Sequence, residues 1–374
     1  MKEPTLLPTT YPNILVSANT GIAVGMASNF CGFNLAEVCR TTIELIKNPE
    51  HDILSTLPAP DFTTGGELIY DEAEMRAIYR TGRGSFKVRA KWAYNKKDNL
   101  IEITEIPYTT TIEAIIDKIA ELVKNGKVRE IADVRDETDL SGLKIAIDLK
   151  RGTDPEKLMA RLMKLTTLQD SFSCNFNVLI GGMPRVLGVQ QILEEWTSWR
   201  TECVRRRVFF ELGKKKDKLH LLLGLRRILL DIDKAIAIIR GTEEDAKVIP
   251  NLMEGFDIDQ IQAEFIADIR LRNINKEYIL KRTQETEALE NEIKKLEEIV
   301  KSKTKIRNII VKELEQVIKK YPSERRTRIV RADKVTEFAE EDHIEDYPVL
   351  LFMTREGYFK KITPQSWRMS QDHK

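Results

Sequence analysis

The chain has 374 residues, with 60 Lys and Arg against 59 Asp and Glu and a formal net charge of +1 at pH 7. This balance neither indicates nor excludes a nucleic-acid binder, because DNA is bound by a local basic face and not by the total charge. The length suggests two or three domains of roughly 100–200 residues, and a hydrophobic fraction of 42% is enough for real cores, which excludes wholesale disorder. Charged residues make up 32% and aromatic residues only 7%, a composition that favours long, salt-bridged helices over an all-β fold.

Residues 1–34 are rich in Pro, Gly and Asn and predict loops with two short strands, at 13–16 and 19–26. The stretch has too few apolar residues to close a core of its own, so we expect it to be the trailing part of a domain that begins upstream. Its unusual residue is Ile22, which directly follows a polar, flexible Asn-Thr-Gly triplet. Two interpretations remain open: a buried strand residue, or an apolar wedge that enters between base pairs and bends the duplex.

Residues 35–188 predict a mixed α/β domain. Asn34 is a plausible N-cap with Glu37 three residues on, so a capping box should open a helix that ends near Lys47. After a turn-rich link, the pattern gives a β-β-α-β-β-α order, which implies an α+β sandwich with its sheet covered on one face. The predicted elements are strands at 85–94 and 100–106, a helix at 111–125, strands at 128–134 and 143–149, and a helix from Asp154.

Residues 189–320 are dominated by helical periodicity. A helix from Val189 persists past Leu222, and about 33 helical residues at ~1.5 Å each span ~50 Å. A second long helix is predicted at 275–320, with a heptad seam that breaks at 302–305. The apolar helical block between them, residues 225–274, suggests an antiparallel coiled coil, out and back, with a compact knob at its tip.

Residues 321–374 predict a basic segment at 325–328, an acidic linker at 337–346 and a hairpin at 349–362. A single hairpin is not stable by itself. We therefore expect it to be the first strands of a further β domain.

A self-contained active site is not predicted. The chain has no G-x-x-x-x-G-K-[ST] loop and no supported nucleophile–base set. Asp231 and Asp233 are expected inside a helix, where residues two apart face different sides, and Asp257 and Asp259 are expected to cap a helix. Four scattered cysteines and four histidines make a disulfide framework or a metal site improbable. Without a signal peptide or an apolar run of ~18 residues, a soluble cytoplasmic protein is expected.

Two basic clusters are candidates for contact with nucleic acid. Arg80 and Arg83 lie in an Arg-Thr-Gly-Arg-Gly turn, where small residues let the backbone approach a phosphate closely. The second cluster lies along the first long helix and is either a phosphate-binding face or a solvated helix face. It consists of Arg205, Arg206, Arg207, Lys214, Lys215, Lys216 and Lys218.

Several motifs together resemble the A subunits of bacterial type IIA DNA topoisomerases, DNA gyrase and topoisomerase IV. The most specific is GIAVGMASN at 21–29, preceded by PNILV at 12–16. Further matches follow in the family's order and cover essentially the whole chain. They are YRTGRG at 79–84, EIPY at 105–108, IADIRL at 266–271, KEL at 312–314, RRT at 325–327 and GYFKK at 357–361.

The resemblance implies an isomerase that passes one duplex through a transient double-strand break in another, driven by ATP. In that family the nucleophile is a tyrosine that follows an arginine, on a winged-helix domain ahead of the 21–29 signature. None of the nine tyrosines here follows an arginine, and only Tyr11 precedes the signature. The resemblance thus implies a piece that lacks the nucleophile and is inactive by itself. The alternative is a non-enzymatic coiled-coil DNA-organising protein, which gives no reason for the signature.

The resemblance also implies an α+β multidomain architecture. Residues 1–34 would be the tail of the DNA-gate region with its intercalating segment, and 35–188 would form an α/β tower domain. Residues 189–320 would form the long antiparallel coiled coil, with an exit-gate dimerisation knob at about 225–274. Residues 321–374 would be a linker and the hairpin that starts a C-terminal β-pinwheel.

The family's DNA contacts carry over onto five residues. Ile22 matches the isoleucine that intercalates and bends the gate DNA. The phosphates there would be flanked by Asn19 and Thr20, and the DNA arms would be contacted by Arg80 and Arg83. Partners implied are double-stranded DNA, a second copy of the chain, and a B subunit that supplies ATP and Mg²⁺, in a nucleoid-associated cytoplasmic complex without a membrane. The chain itself would hold no cofactor or metal. The motifs do not distinguish a gyrase A subunit from a topoisomerase IV A subunit.

Overall fold

A computed structural model of the chain describes Glu3 and residues 6–269, 276–335 and 348–371. The helices are α1 (Asn13–Val16), α2 (Leu35–Lys47), α3 (Ile53–Thr56), α4 (Glu72–Thr81), α5 (Ile112–Lys124), α6 (Pro155–Leu165), α7 (Val189–Leu229), α8 (Ile232–Gly241), α9 (Asp245–Phe256), α10 (Gln260–Ala267), α11 (Lys276–Lys301), α12 (Lys303–Lys320) and α13 (Pro364–Gln371). The strands are β1 (Asn19–Ala23), β2 (Met26–Phe30), β3 (Glu67–Tyr70), β4 (Arg83–Arg89), β5 (Lys91–Asn95), β6 (Leu100–Glu105), β7 (Ile131–Asp136), β8 (Ile145–Leu149), β9 (Gln169–Asn175), β10 (Asn177–Ile180), β11 (Met183–Val186), β12 (Arg328–Arg331), β13 (Leu350–Met353) and β14 (Phe359–Ile362).

The helices and strands given above confirm a mixed α/β protein, and the chain divides into two compact units. The first unit comprises Met1–Gly65, Tyr70–Phe86 and Ser171–Ile329. The second comprises Gly66–Ile69, Lys87–Asp170 and Val330–Lys374.

The second unit contains the predicted β-β-α-β-β-α order. Its antiparallel sheet runs β5-β6-β8-β7, with Ile101 opposite Ile147 in the central ladder. Helices α5 and α6 contribute Ile115, Ile119 and Leu162 to the core beneath this sheet. Both helices start as predicted, because the side chains of Thr111 and Asp154 accept hydrogen bonds from the backbone of the first turn.

One strand of this region was predicted wrongly. The single strand at 85–94 is two strands, β4 and β5, interrupted at Ala90, whose N–H donates to the carbonyl of Leu168 at 2.7 Å instead of joining a ladder. Helix α4 lies between the turn-rich link and β4, where no helix was predicted, and Asp71 caps it by accepting from the N–H of Glu74. The predicted hairpin at 349–362 is confirmed, since β13 and β14 pair antiparallel. The acidic linker at 337–346 lies outside the described residues.

The first unit is built around long helices. Helix α7 has 41 residues, about 61 Å at ~1.5 Å per residue, and is longer than predicted. It runs antiparallel to α11, since Lys218 pairs with Glu285 while Lys215 pairs with Glu292. Between these helices lie four buried leucines and one buried isoleucine: Leu212, Leu222, Leu225, Leu289 and Ile293.

The predicted second long helix is interrupted. Ser302 adopts an extended conformation between α11 and α12, and its hydroxyl accepts from the N–H of Lys305 at 3.3 Å. The break coincides with the predicted break in the heptad seam, because a serine side chain competes for backbone hydrogen bonds and favours a cap over a helix interior. Residue 275, where this helix was predicted to begin, lies outside the described residues.

Helices α8, α9 and α10 form a small cluster whose core includes Leu252, Ala263 and Ile266. The prediction that Asp231 lies inside a helix is wrong. Helix α7 ends at Leu229, and the Asp231 carboxylate accepts from the N–H of Lys234 at 3.1 Å to start α8. The predicted caps at 257–259 are confirmed for Asp259, which starts α10. The predicted block at 225–274 extends beyond the described residues at 270–274.

The N-terminal region also differs from prediction. The strand expected at 13–16 is the single helical turn α1, with Leu15 fully buried. The segment at 19–26 is not one strand, because the chain reverses at Val24 and Gly25, where Gly25 has φ +80°. At α2 the N-cap is confirmed, but the capping box is not. Glu37 instead accepts from the Arg325 guanidinium at 2.7 Å, a stronger charge-assisted partner than a backbone N–H.

Candidate nucleic-acid interface

The candidate wedge residue lies on a projecting β-hairpin, residues 19–30, called here the Ile22 hairpin. Its two strands pair from Asn19 opposite Phe30 to Ala23 opposite Met26. The Ile22 side chain is 90% exposed and Val24 is fully exposed. This exposure excludes the interpretation of Ile22 as a buried strand residue. Large apolar side chains presented at the tip of an ordered hairpin are typical of an interaction surface.

Asn19 and Thr20 lie on the same strand, two or three residues before Ile22, and both are exposed. The Thr20 hydroxyl donates to the Asn29 Oδ1 across the hairpin at 2.7 Å. Hydroxyl and amide groups at such positions can bond to phosphate oxygens. The hairpin therefore presents an apolar tip flanked by polar side chains.

Arg80 and Arg83 bracket the end of α4 and the start of β4. Between them Gly82 has φ +71°, and a Cβ added to it would lie 2.2 Å from the carbonyl oxygen of Leu187. Only glycine fits this close approach with a left-handed conformation. Both guanidinium groups are exposed, and neither has an ion pair among the described residues. Two uncompensated cations on one rigid turn are suited to phosphate.

Phe176 links the arginine turn to the Ile22 hairpin. Its backbone N–H donates to the carbonyl of Gly82 at 2.8 Å. Its ring stacks on Phe30, at the base of the hairpin, with centroids 4.7 Å apart. All five predicted site residues are therefore held by one framework within the first unit.

In the second basic cluster, along α7, six of the seven cations pair with acidic neighbours. Arg205 and Arg206 both pair with Glu202, and these hydrogen bonds lower the pKa of that carboxyl. Lys214 lies over the Phe210 ring at 4.5 Å. The other four cations pair with glutamates on α11 and α12, as Arg207–Glu313, Lys215–Glu292, Lys216–Glu297 and Lys218–Glu285. The structure therefore favours a solvated, salt-bridged helix face here.

Buried nucleophilic groups in this unit are poor reactants. The Tyr79 hydroxyl is buried, and burial raises its pKa well above the usual 10. Cys31 and Cys174 have their sulfur atoms 3.8 Å apart, and burial likewise raises the pKa of Cys31. Within 6–269, 276–335 and 348–371, no three His, Cys, Asp or Glu side chains group in a way that could hold a metal ion. The helices of these same ranges include none with the length and apolar composition needed to cross a bilayer.

Sequence reasoning missed a second hairpin, β10–β11, beside the first. Leu179 and Met183 are exposed at its end, and a cleft of about 260 Å³ lies between Val178, Leu179 and the Ile22 hairpin. The available signal was the pair Gly181-Gly182 between two apolar runs, which is typical of a tight hairpin turn.

The chain matches the model of the family formed by the A subunits of DNA gyrase and topoisomerase IV, over residues 1–315. It is 33% identical to the DNA gyrase A subunit of Borreliella burgdorferi over 99% of this chain and 46% of that protein. It is 37% identical to the DNA gyrase A subunit of Clostridium acetobutylicum, over 98% of this chain and 44% of the relative. A probable chloroplastic/mitochondrial DNA gyrase A subunit of Oryza sativa is 35% identical, over 98% and 40%. The chain thus spans less than half the length of these relatives, and the matches do not favour the coiled-coil DNA-organising alternative.

Proposed function

This chain belongs to the family of DNA gyrase and topoisomerase IV A subunits, and we propose on that basis that it is the DNA-binding and dimerisation part of the breakage–reunion subunit of an ATP-dependent type II topoisomerase. That enzyme changes DNA topology by passing one duplex through another. The relatives named above are gyrase A subunits, which supports the gyrase branch of the family. The 374 residues themselves bind and bend the duplex but do not cleave it.

The exposure of Ile22 is the single observation that carries the proposal. A 90% exposed isoleucine on a paired hairpin has no role in the core of its own chain. Inserted between base pairs it would unstack one step, at a cost of a few kcal/mol, and kink the duplex. The Asn19 amide would donate to an adjacent phosphate and Thr20, whose hydroxyl proton is held by Asn29, would flank that phosphate, while the exposed guanidinium groups of Arg80 and Arg83 would hold the flanking arm.

The remaining regions take the roles implied by the family. Residues 1–34 belong to the DNA gate, 35–188 form the tower, and 321–374 lead to the start of a β-pinwheel. Residues 189–320 form the coiled coil, which the antiparallel pairing of α7 with α11 supports. The knob at its tip would be the exit gate.

We propose a homodimer through this knob. Leu230 is 83% exposed and Ile261 is 64% exposed, and both lie at or next to the cluster of α8, α9 and α10. A two-fold interface buries the same apolar patch of both copies. ATP and Mg²⁺ would act through a B subunit that joins this assembly in the cytoplasm, at the nucleoid.

The proposal is tested by measuring DNA bending. A duplex of about 30 bp, the size over which bending by bound proteins is measurable, carries a donor and an acceptor dye at its ends. We expect the wild-type chain to bring the ends closer, and Ile22→Ala to bind with little change in Kd but to leave the duplex nearly straight. Leu140→Ala, at another fully exposed apolar side chain, is the control and should bend DNA like the wild type.

Failure of the wild-type chain to bind duplex DNA would overturn the proposed function. Normal bending by Ile22→Ala would overturn the role of Ile22 while leaving DNA binding intact.

A further inference from the structure

The Ile22 hairpin has little backbone pairing with the rest of its unit. Strand β2 pairs with β9 at one position only, Asn29 opposite Asn175. The five residue pairs within the hairpin itself fix its shape. They do not fix its direction relative to the sheet behind it. The hairpin's orientation therefore depends on contacts other than a β-ladder.

Side-chain amides supply those contacts from both sides. The Asn175 amide donates to the carbonyl of Ala27 at 2.7 Å, and the Asn177 amide donates to the same oxygen at 3.3 Å. In the opposite direction, the Asn29 amide donates to the carbonyl of Ser173 at 2.6 Å. The Ser28 hydroxyl adds a bond to the carbonyl of Asn177 at 3.0 Å. We call Asn29, Asn175 and Asn177 the asparagine clamp.

The clamp also connects to the strand that carries Ile22. Asn29 Oδ1 accepts from the Thr20 hydroxyl while the Asn29 amide donates to Ser173, so one side chain ties both hairpin strands to β9. Ala27, whose carbonyl receives two amides, is the residue directly opposite Ile22 in the hairpin. A base pair that pushes on Ile22 would therefore push on Ala27 in the neighbouring strand, and the clamp holds Ala27 in place.

The clamp carries a local cost in stability. The Asn175 Oδ1 atom is buried without a hydrogen-bond partner among the described residues. An unsatisfied buried acceptor is unfavourable, and an apolar residue at 175 would remove it. The amide donor of Asn175, which binds the Ala27 carbonyl, is the part of this side chain that contributes to the clamp.

Resting on the proposed function, we propose that the asparagine clamp positions Ile22 for insertion, by holding the hairpin against the resistance of the stacked bases. Unstacking a base step costs free energy, and a hairpin free to swing would relieve that cost by turning away from the duplex. Phosphate contacts by Arg80 and Arg83 do not depend on the clamp. Loss of the clamp therefore separates bending from binding.

The test is Asn175→Leu, which keeps the size of the side chain and removes its donor without adding charge. At saturating protein, we expect the change in end-to-end energy transfer of the doubly labelled duplex to fall at least threefold, with Kd changed less than threefold. Asn175→Gln retains an amide donor and should bend DNA better than Asn175→Leu. Asn251→Leu is the matched control, because Asn251 also donates from its amide, to Thr242 in a distant part of the unit.

Asn177→Leu serves as a second variant if Asn175→Leu does not fold, since the Asn177 bond to Ala27 is the longer one. Thermal unfolding of each variant without DNA checks the fold. Bending equal to wild type in both folded leucine variants would overturn the role of the clamp. Absence of bending by the wild-type chain would instead count against the proposed function.

Discussion

Arg200 and Glu313 form an ion pair at 2.7 Å between α7 and α12, and the arginine is only 6% exposed. The other carboxylate oxygen of Glu313 accepts from Arg207, nearly two helical turns further along α7. One carboxylate therefore compensates two guanidinium groups, one of them buried. We predict that Glu313→Gln lowers the free energy of unfolding by about 3 kcal/mol, because it leaves a buried charge uncompensated.

Urea denaturation measures this difference. The control is Glu298→Gln, which breaks the exposed pair with Lys305 and should have a much smaller effect, because water screens an exposed ion pair. Equal effects of the two substitutions would contradict the assigned burial of Arg200.

We predict that Gly82→Ala disrupts the arginine turn. The added Cβ would meet the Leu187 carbonyl oxygen at 2.2 Å, at a residue with φ +71°, so both the backbone conformation and the close packing must change. We expect a loss of about 2–4 kcal/mol of stability, in the range of severe strain and overpacking, together with weaker DNA binding.

Gly213 provides the comparison, because it lies inside α7 with open space around its Cβ position. Gly213→Ala should stabilise the chain by about 0.5–1 kcal/mol. Thermal unfolding of both variants decides the point, and a neutral Gly82→Ala would show that the turn is not tightly packed.

The two basic clusters should differ in the salt dependence of DNA binding. Each phosphate contact contributes about 0.9 to the slope of log K against log salt concentration. The double substitution Arg80→Ala and Arg83→Ala should therefore reduce the slope by about 1.8. Lys215→Ala and Lys216→Ala remove cations that already pair with glutamates, so that double variant should keep the wild-type slope. A larger effect of the lysine pair would reverse the assignment of the two clusters.

Acid should weaken the pairing of α7 with α11. Hydrogen bonds from Lys215 and Lys216 lower the pKa values of Glu292 and Glu297 below the usual 4.5. A carboxyl with a lowered folded pKa stabilises the fold above its unfolded pKa, and that contribution disappears as pH falls through the folded pKa. We expect the melting temperature to decrease when the pH is lowered below 4.5. The decrease should be smaller in the double variant Lys215→Met and Lys216→Met. Identical acid profiles would contradict these pairs.

The proposed homodimer can be tested at the knob. Leu230→Asp together with Ile261→Asp places charges on two exposed apolar residues, and sedimentation should shift from dimer to monomer at micromolar concentration. Leu140→Asp, on an exposed residue of the second unit, should leave the dimer unchanged. A monomeric wild-type chain would contradict the exit-gate role.

The sequence predicted the start of a helix correctly where the deciding contact is local, between residues within one turn of each other. Thr111 and Asp154 start helices as expected, because a capping side chain acts within one turn of the chain. Glu37 did not close its capping box, since the competing partner Arg325 is distant in sequence and its approach depends on the fold. Asp231 was misplaced because helical periodicity continues through the end of α7.

In the candidate site, too, local features could be predicted from the sequence and long-range contacts could not. Ile22 was found by its motif, but its exposure could not be predicted from alternation alone, which is compatible with a buried strand. The amides of Asn175 and Asn177 were not recognised, because they act on a carbonyl nearly 150 positions away. Their role follows only from the juxtaposition of β2 with β9 and β10.

Gly82 and Gly188 have a consequence for how this protein can vary. A Cβ at Gly82 would strike the Leu187 carbonyl, and a Cβ at Gly188 would strike the carbonyls of Tyr79 and Arg80. The path of the turn is therefore fixed by backbone shape and is independent of its charges. If the turn binds DNA as proposed, substitutions of Arg80 or Arg83 would change the affinity for DNA and leave the backbone in place, whereas neither glycine can be replaced without a shift of the backbone. The glycines determine the path of the backbone, and the arginines determine the charge of the turn. The affinity of the turn for DNA could therefore change by substitution of the arginines without a change of fold.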